Sequence, residues 1–234
     1  MSDRLGEGGE STRRGSPDID LLEGLLEPGV AGLSAALEWG CDALAPAERA
    51  LVAGAVESRQ REFAGGRVLV RRLLEARGIR DFPLLRDADR VPIWPPGVVG
   101  CISHTHDLAV AILSAGEPWA GLGIDVEPDE PVERGIERIV CRGPEKAWLE
   151  AAPDPEERGR RCKMIFSVKE AVYKAFFPRT RTFWSFQDVT VEIDPSQGRF
   201  EARLPPSADR DRIEGRLARR SGWLLATVHV DRAG

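Results

Sequence analysis

Two acidic residues at alternate positions, Asp125 and Glu127, are the first candidates for chemistry in this chain. Apolar residues flank them, and Pro128 follows. Alternate side chains of a β-strand point to the same face, so the two carboxylates would lie side by side and repel each other. A hard cation such as Mg²⁺ relieves this repulsion, and it is held by one or two carboxylates together with substrate phosphates. The alternative is an exposed strand edge that its acidic side chains keep soluble.

A helical segment supplies the second set of candidates. Glu170 and Lys174 are four residues apart and share one helix face, while Lys169 lies about 100° around the axis. Only four of the 33 basic residues are Lys, and Lys163, Lys169 and Lys174 are three of them. A compact ammonium group suits contact with phosphate oxygens. The alternative is a solvated Glu/Lys pair, which contributes only about 0.2–0.5 kcal/mol.

A short hairpin presents the third set. Residues 98–104 are rich in β-branched side chains, and residues 108–113 follow them after a three-residue turn, which predicts two paired strands. Ser103 and His104 would lie at the tip of this hairpin. A histidine at a strand end binds an anion when further cationic groups lie nearby. Otherwise His104 would be a structural hydrogen-bonding residue.

A predicted helix over residues 59–77 carries several arginines. Arg59 and Arg67 are eight residues apart, a little over two turns, and therefore share a face. Gly65 and Gly66 inside this helix cost about 1 kcal/mol each relative to Ala, which indicates close packing or access to the backbone. A solvated basic face is the alternative for the arginines.

The elements that position these residues alternate between helix and strand. Acidic residues at Glu156 and Glu157 suit the positive end of a long helix, which Pro178 is expected to end. Residues 19–39 are ambiguous between helix and strand. The alternation of helices with antiparallel strands indicates an α+β fold. The predicted helices cover 46–56, 59–77, 145–149 and 156–177, and the predicted strands cover 98–104, 108–113, 124–127, 189–193, 199–204 and 223–230.

Composition narrows the possible functions. With 234 residues and 42% hydrophobic content, the chain can form one large domain or two smaller ones. A net charge of −5 without a sustained Lys/Arg run argues against nucleic-acid binding, although local arginine clusters could hold one small polyanion. No apolar run reaches about 18 residues and no signal peptide is recognisable, so we expect a cytoplasmic protein with no membrane segment.

Two further expectations come from residue types. The four cysteines form no C-x-x-C pair, which argues against a zinc site and against a disulfide framework. Residues 1–17 contain almost no apolar side chains, so they are expected to form a disordered tail.

Three segments gain meaning from their order in the chain. They read Gly-Cys-Ile-Ser-His-Thr at 100–105, Gly-Ile-Asp-Val-Glu-Pro at 123–128 and Phe-Ser-Val-Lys-Glu-Ala-Val-Tyr-Lys-Ala at 166–175. Together they resemble the motifs of the 4′-phosphopantetheinyl transferases, whose corresponding patterns are S-x-S/T-H, G-I-D-x-E and F/W-S-x-K-E-A-x-x-K-A. The likeness spans roughly residues 45–230 and is strongest to the single-chain, Sfp-type enzymes that activate carrier proteins for siderophore, polyketide and lipid synthesis.

The resemblance implies a pseudo-dimer of two similar α+β halves. Each half would be a mainly antiparallel sheet packed on a long helix, with the active site in the cleft between the halves. The N-terminal half would cover residues 18–120 and the C-terminal half residues 121–234. Because the symmetric interface is then internal, we expect a monomer.

The resemblance also implies a reaction. A serine of an apo acyl or peptidyl carrier protein attacks the β-phosphate of coenzyme A, and 3′,5′-adenosine bisphosphate leaves. Asp125, Glu127 and Glu170 would hold Mg²⁺, or Mn²⁺ in its place, and Glu170 would also act as general base. Lys174 and Lys169 would contact the diphosphate oxygens.

The adenosine end of coenzyme A is assigned by the same resemblance. Ser103 and His104 would hold the 3′-phosphate, and Pro92 would lie close to the adenine. Positive charge would come from three arginines: Arg59, Arg67 and Arg86.

The carrier protein is expected to dock on residues 135–165, between the metal strand and the catalytic helix. Carrier proteins of this kind are usually acidic along the helix after their serine, so complementary charge would speed encounter. The basic candidates are Arg138, Arg142, Lys146, Arg160, Arg161 and Lys163, and the apolar candidates are Ile139, Trp148 and Leu149.

Two other functions remain open. A Mg²⁺-dependent nuclease could use the same two acids with a nearby Glu and Lys, although no basic groove for a duplex is apparent. A non-catalytic module that binds carrier proteins would instead use these charges structurally.

Overall fold

The structure is a computed structural model that describes residues 20–116, 118–133 and 135–232. The predicted tail at residues 1–17 lies outside these ranges. Helices occupy Pro46–Ala50 (α1), Glu57–Glu75 (α2), Glu137–Val140 (α3), Gly143–Glu150 (α4) and Pro155–Thr180 (α5). Strands occupy Val30–Ala36 (β1), Val98–His104 (β2), Leu108–Ala115 (β3), Trp119–Pro128 (β4), Thr190–Asp194 (β5), Arg199–Arg203 (β6), Arg212–Arg220 (β7) and Trp223–Asp231 (β8).

Two antiparallel sheets organise the chain and confirm the predicted α+β class. The first has the strand order β1-β3-β2, and the second has the order β4-β8-β7-β6-β5. The predicted hairpin of β2 and β3 is present, with His104 opposite Ala109. Because β4 begins at Trp119, the predicted boundary between residues 120 and 121 falls within this strand. The division into two halves therefore stays a prediction.

Helix α2 covers the first sheet. The helix and sheet share a buried core that includes Leu69, Leu73 and Leu113. Cβ atoms at Gly65 and Gly66 would collide with side chains of the strands and their connection, so the close packing predicted from this glycine pair is confirmed.

Helix α5 packs on the second sheet, directly against β4. A Cβ atom at Gly121 would collide with the carbonyl oxygen of Ala175, and one at Gly123 would overlap the carbonyl oxygen of Ala171. The absence of side chains at these two positions lets the helix backbone lie on the strand. Since alternate residues share a face, Asp125 also points toward α5.

The two sheets meet where β2 lies beside β4. The amide of Ile124 donates to the Cys101 thiol at 3.3 Å, and the amide of Val126 donates to the Ser103 hydroxyl at 3.2 Å. Side chains of one sheet thus satisfy the backbone donors at the edge of the other, which a buried sheet edge requires. This junction places Ser103 next to the acidic strand.

Several boundaries differ from those predicted. Helix α5 continues past Pro178 to Thr180, because later residues still find helical acceptors: the amide of Arg181 donates to Phe177. The prediction that Pro178 ends the helix was wrong. The ambiguous stretch contains β1, and β7 was not predicted. Within the described residues, no helix is both long enough and apolar enough to cross a membrane.

Candidate active site

Asp125 is the buried centre of the site, with only 3% of its surface exposed. Its Oδ1 accepts hydrogen bonds from Lys174 at 2.7 Å and from the Ser103 hydroxyl at 3.2 Å. Its Oδ2 is buried and has no hydrogen-bond partner. A buried carboxylate oxygen without a donor is costly, so Oδ2 is available to a further positive group.

Two more carboxylates surround Asp125. Glu127, on the same face of β4, accepts a hydrogen bond from Lys163 at 3.2 Å. Burial raises the pKa of Glu127, and the Asp125 charge raises it further, against the opposing effect of Lys163. Burial also raises the pKa of Glu170; Lys174 opposes this rise, and repulsion from Asp125 and Glu127 adds to it. These carboxylates therefore lie close enough to disfavour one another's charge.

Lys174 remains a cation despite its surroundings. Burial lowers its pKa, but the Asp125 carboxylate, with smaller contributions from Cys101 and Glu170, raises the pKa above the ordinary value of a lysine. Its ammonium group also donates to the Ser103 hydroxyl at 3.0 Å. Lys174 thus presents a fixed positive charge beside the acids, and its contact with a diphosphate stays a prediction.

The residues present fit a divalent cation only in part. Among the described residues, no three side chains of His, Cys, Asp or Glu converge closely enough to hold a metal ion. The predicted set of Asp125, Glu127 and Glu170 is therefore not assembled as one closed group. The free Oδ2 of Asp125 nevertheless suits Mg²⁺, which commonly takes one or two carboxylates and leaves its other positions to phosphate oxygens and water.

The Lys169 ammonium group does not face these acids, although the residue lines a groove beside Glu170. Its ammonium group donates to the carbonyls of Val140 and Phe186 and to Glu145 Oε2, each at 2.8 Å. These three hydrogen bonds use all the donors of the amine. The ion pair with Glu145 is buried, since the two side chains are 2% and 0% exposed. The prediction that Lys169 contacts the diphosphate is withdrawn, because the structure gives it a packing role.

Ser103 is also engaged elsewhere than predicted. Its hydroxyl donates to Asp125 and accepts from the Val126 amide and from Lys174. One donor and two acceptor positions are the full capacity of a hydroxyl, so none remains for a 3′-phosphate. We therefore reassign Ser103 to holding Asp125 and Lys174 in place.

A cationic cluster lies at the end of β2. Arg59 Nη1 donates to His104 Nε2 at 3.0 Å and to Glu62 Oε2 at 2.9 Å. Burial lowers the pKa of His104 to about 4, and the neighbouring Arg59 charge contributes to this shift. The neutral imidazole accepts from Arg59 and keeps its proton on Nδ1, which lies 3.6 Å from Glu62. The contact between Arg59 and His104 places these two residues side by side, and their predicted binding of the 3′-phosphate stays a prediction.

Arg67 extends this cluster into the interior. It is only 8% exposed, its Nε has no hydrogen-bond partner, and no salt bridge reaches it among the described residues. Its guanidinium lies 3.6 Å from the centre of the Phe63 ring, while Arg86 lies 5.9 Å from the same centre. Burial lowers the pKa of Arg67 to about 10. The Glu48 carboxylate opposes this shift of the pKa, but its salt bridge is to Arg71. A buried cation without a salt bridge of its own indicates a site for an anion.

Pro92 lies beside this cluster because its backbone pairs with that of Arg86 in an isolated antiparallel bridge. The turn between them holds Arg86 where Nη2 donates to the carbonyl of Leu51 at 3.3 Å. The structure thus brings together five of the predicted adenosine-end residues, Arg59, Arg67, Arg86, Pro92 and His104, around one end of α2.

Comparison with known proteins identifies the chain. The model of the 4′-phosphopantetheinyl transferase N-terminal domain matches residues 47–114, and that of the 4′-phosphopantetheinyl transferase superfamily matches residues 121–228. The 4′-phosphopantetheinyl transferase Svp of Streptomyces mobaraensis is 37% identical over 195 residues, which cover 80% of this chain and 78% of Svp. The chain belongs to the 4′-phosphopantetheinyl transferase superfamily.

Further relatives agree with this assignment. The 4′-phosphopantetheinyl transferase Npt of Nocardia iowensis is 32% identical over 215 residues, or 88% of this chain and 95% of Npt. Enterobactin synthase component D of Salmonella typhimurium is 32% identical over about half of each chain, 52% and 50% respectively. The predicted family and enzyme class are therefore confirmed.

Sequence reasoning missed an apolar groove that lies beside Glu170. The groove has a volume of about 300 Å³, and its walls include Tyr173, Phe183 and Phe186. Of its lining residues, Phe183 is 75% exposed and Ile139 is 65% exposed. Large exposed apolar side chains around one groove mark a binding surface. The only sequence signal was the aromatic content of residues 173–186.

Proposed function

We propose that this phosphopantetheinyl transferase moves the 4′-phosphopantetheine group of coenzyme A to a serine of an apo acyl or peptidyl carrier protein. The observation that carries the proposal is Asp125, a buried carboxylate shared by Lys174 and Ser103 and left with one free oxygen. This arrangement suits a diphosphate with a bound divalent cation. Family membership supplies the group transferred, and the cationic cluster around Arg67 supports coenzyme A as its donor.

The chain's own residues supply the protein part of the reaction. Glu170, a carboxylate with a raised pKa and no hydrogen-bond partner among the described residues, accepts the proton of the carrier serine, directly or through a water. The serine oxygen then bonds to the β-phosphorus as the bond to the bridging oxygen breaks, and 3′,5′-adenosine bisphosphate leaves. Lys174 offsets the negative charge on the diphosphate.

Mg²⁺, or Mn²⁺ in its place, would be held by Asp125 Oδ2 with Glu127 or Glu170 contributing a second carboxylate. When bound, the ion would neutralise charge on the diphosphate. The lysines that now meet Asp125 and Glu127 mean that the metal would share these carboxylates with cations of the protein.

The 3′-phosphate of coenzyme A is proposed to bind among Arg59, Arg67 and His104. Arg67 provides a buried charge that forms no salt bridge among the described residues, and Arg59 is half exposed beside it. Arg86 adds a third guanidinium, 5.9 Å from the centre of the Phe63 ring, and Pro92 would lie against the adenine. A phosphate bound here would offset the free-energy cost of burying the Arg67 charge, because charge-assisted hydrogen bonds are about twice as strong as neutral ones.

The uncharged pantetheine arm is proposed to lie in the apolar groove. The groove contacts Glu170, so an arm within it would start at the reacting phosphorus. Its walls are aromatic: Tyr173 and Phe183 form an edge contact with ring centres 6.0 Å apart. Such a surface binds the methyl groups and methylenes of the arm by burying apolar area.

The carrier protein is proposed to dock next to this groove, over a narrower surface than the sequence suggested. Arg138, Ile139 and Lys146 are exposed, and no hydrogen bond or salt bridge engages the two cations within the described residues. Leu149 is buried in the core, and Trp148 packs under Arg161. These two apolar anchors are therefore withdrawn.

Arg142, Arg160, Arg161 and Lys163 already have protein partners: the carbonyl of Gln187, Glu156, Glu157 and Glu127, respectively. They contribute less to a docking surface than Arg138 and Lys146 do. We retain a monomeric, cytoplasmic enzyme that binds no nucleic acid as part of the proposal.

A single assay tests the function. The protein is incubated with coenzyme A, Mg²⁺ and an apo carrier protein, and the mass of the carrier is measured. We expect one phosphopantetheine group to be added, and no addition when the carrier serine is replaced by Ala. The Asp125→Asn variant should be inactive, whereas Asp129→Asn, which changes an acid paired with Arg219 after the same strand, should keep activity.

The alternatives give different results in the same experiment. A nuclease would leave the carrier unmodified and cleave a nucleic acid added with Mg²⁺. A non-catalytic module would bind the carrier without changing its mass.

A further inference from the structure

The turn that carries Arg86 and Pro92 is fixed by one carboxylate. Asp87 Oδ1 accepts hydrogen bonds from the amides of Asp89 at 3.0 Å and Val91 at 2.9 Å. An aspartate that bonds to the backbone a few residues ahead is a common way to hold a tight turn. Since Oδ1 is used inside the turn, Oδ2 is left for a partner outside it.

That partner is Arg181, which lies 94 residues further along the chain. Arg181 Nη1 donates to Asp87 Oδ2 at 2.6 Å and to Asp89 Oδ2 at 3.1 Å. Its Nε donates to the carbonyl of Pro178 at 3.1 Å, so the guanidinium is also tied to its own helix. We call the three residues Arg181, Asp87 and Asp89 the clasp.

Arg181 occupies a backbone position that favours glycine. It ends α5 with φ of 53° and ψ of 19°, and its amide donates to the carbonyl of Phe177 at 2.9 Å. Left-handed helix ends are usually glycine, because other residues bring Cβ too close to the backbone. Here an arginine is found instead, and its side chain reaches the turn.

The clasp joins two parts of the candidate site that are distant in sequence. Its helix carries Glu170 and Lys174, and its turn carries Arg86 and Pro92. The clasp also lies near the apolar groove, because Asp89 adds to the effects of burial and Glu170 in raising the pKa of Tyr173. A ligand bound to both the arginine cluster and Lys174 must therefore span the two parts that the clasp connects.

We propose that Arg181 is a positioning residue for coenzyme A. By holding the turn against the end of α5, it fixes the distance between the contacts for the adenosine and those for the diphosphate. This inference rests on the proposed function. Without the clasp, binding of coenzyme A would have to order the turn, and this ordering would weaken the affinity.

The sharpest test is the Arg181→Gly variant. Glycine removes the guanidinium but suits the left-handed backbone, so α5 should end as before and the melting temperature should not fall. We expect the Kd for coenzyme A, measured by calorimetry, to rise by about three- to fivefold, the scale of an exposed ion pair. The KM for coenzyme A should rise by a similar factor, while kcat and the KM for the carrier change by less than about twofold.

Two further variants separate positioning from a general loss of charge. Arg181→Lys keeps a cation within reach of the acids and should restore part of the affinity. Asp89→Asn removes one negative charge without touching the bonds inside the turn, and combining it with Arg181→Gly should weaken binding no further than Arg181→Gly alone. Arg212→Ala is the matched control, because it breaks an exposed pair with Glu201 at 3.0 Å between β7 and β6.

The results distinguish this inference from the proposed function. If the wild-type protein binds no coenzyme A, both the proposed function and the positioning role of Arg181 are contradicted. If it binds coenzyme A and Arg181→Gly binds equally well, or if Arg212→Ala loses as much affinity, the positioning role of Arg181 is overturned while the transferase function stands.

Discussion

Each oxygen of the Asp125 carboxylate has a different role. Oδ1 is held by Lys174 and Ser103, whereas Oδ2 is buried without a donor. The contacts of Oδ1 fix the position of the side chain, and the unpaired Oδ2 leaves a place where a positively charged group can bind. A single residue thus joins the β2 hairpin, the acidic strand and the catalytic helix.

Glu170→Gln should lower turnover by about 10²–10⁴-fold if Glu170 is the general base. In the wild type, kcat/KM should fall on acidification with an apparent pKa above that of an ordinary glutamate, because burial and the neighbouring acids raise the pKa of Glu170. The residual rate of the variant should lack this acid limb. A variant that keeps the same acid limb would assign the base to another group.

The same substitution has a predictable effect on stability. A carboxyl group with a raised pKa in the folded state binds protons more tightly there than in the unfolded chain, so stability falls as pH rises through this window. Glu170→Gln should therefore melt above the wild type at neutral pH. The difference should vanish below the ordinary pKa of glutamate.

Arg59→Ala and His104→Ala should weaken coenzyme A far more than 3′-dephospho-coenzyme A. The proposed contacts go to the 3′-phosphate, and a hydrogen bond to a charged group contributes about 1.5–3 kcal/mol, or roughly ten- to a hundredfold in affinity. Calorimetry with both ligands measures the difference. Arg49→Ala, at an arginine that bonds only to carbonyls near α1, is the control. Equal losses for the two ligands would place these residues elsewhere in the site.

At the scale of elements, the contact between α5 and β4 sets the geometry of the site. Gly121 and Gly123 let the helix backbone approach the strand, and this approach brings Asp125 within 2.7 Å of Lys174. A larger distance between α5 and β4 would leave the charges of Asp125 and Lys174 unpaired inside the protein, which is strongly unfavourable.

Gly123→Ala should therefore damage both stability and activity. Its Cβ would overlap the carbonyl of Ala171, so the helix must shift, at a cost of about 1–3 kcal/mol. Thermal unfolding and the carrier assay measure the two effects. Gly54→Ala, where a Cβ meets nothing within 4 Å, should change neither. A fully active Gly123→Ala protein would show that the helix position is not critical.

The buried pair of Lys169 and Glu145 connects α5 with α4 and β5. Glu145 also accepts the amides of Arg142 and Val191, each at 2.8 Å. Lys169→Met leaves Glu145 without its cation, so it should destabilise the protein by about 3–5 kcal/mol. Lys169 also lines the apolar groove, where methionine keeps an unbranched apolar stem, so the Kd for coenzyme A, measured below the melting temperature, should change by less than about twofold.

Adding Glu145→Gln to Lys169→Met should recover part of the stability, because the unpaired buried charge is then removed. A stable Lys169→Met protein that binds coenzyme A much more weakly would instead support a contact between Lys169 and the diphosphate.

At the scale of the whole molecule, the proposed recognition of the carrier protein depends on the surface charge of the transferase. Arg138→Glu combined with Lys146→Glu should raise the KM for the carrier several-fold at low salt and less at high salt, because screening weakens exposed charges. The KM for coenzyme A should change little. Arg199→Glu with Arg203→Glu makes the same charge change on β6. A carrier KM that is unmoved at every ionic strength would rule out the surface at Arg138 and Lys146.

Local patterns in the sequence determined much of this protein. Periods of about 3.6 and two residues predicted α2, most of α5 and the β2–β3 hairpin, and strand alternation placed Asp125 and Glu127 on one face. Three ordered motifs indicated the family, which the comparisons confirmed. β7 escaped prediction because its sequence is rich in arginine and only Ile213 and Leu217 are buried.

Only the tertiary structure decided which faces meet. Lys169 and Lys174 look alike in the sequence, yet one is buried against Glu145 and the other lies beside Asp125. Similarly, Ser103 bonds to β4 because the edges of the two sheets lie side by side. Arg181 bonds to a turn that lies 94 residues away in the chain. A local pattern fixes which side chains share a face of one element. What that face contacts depends on packing between elements distant in the chain, here the close approach of α5 to Gly121 and Gly123.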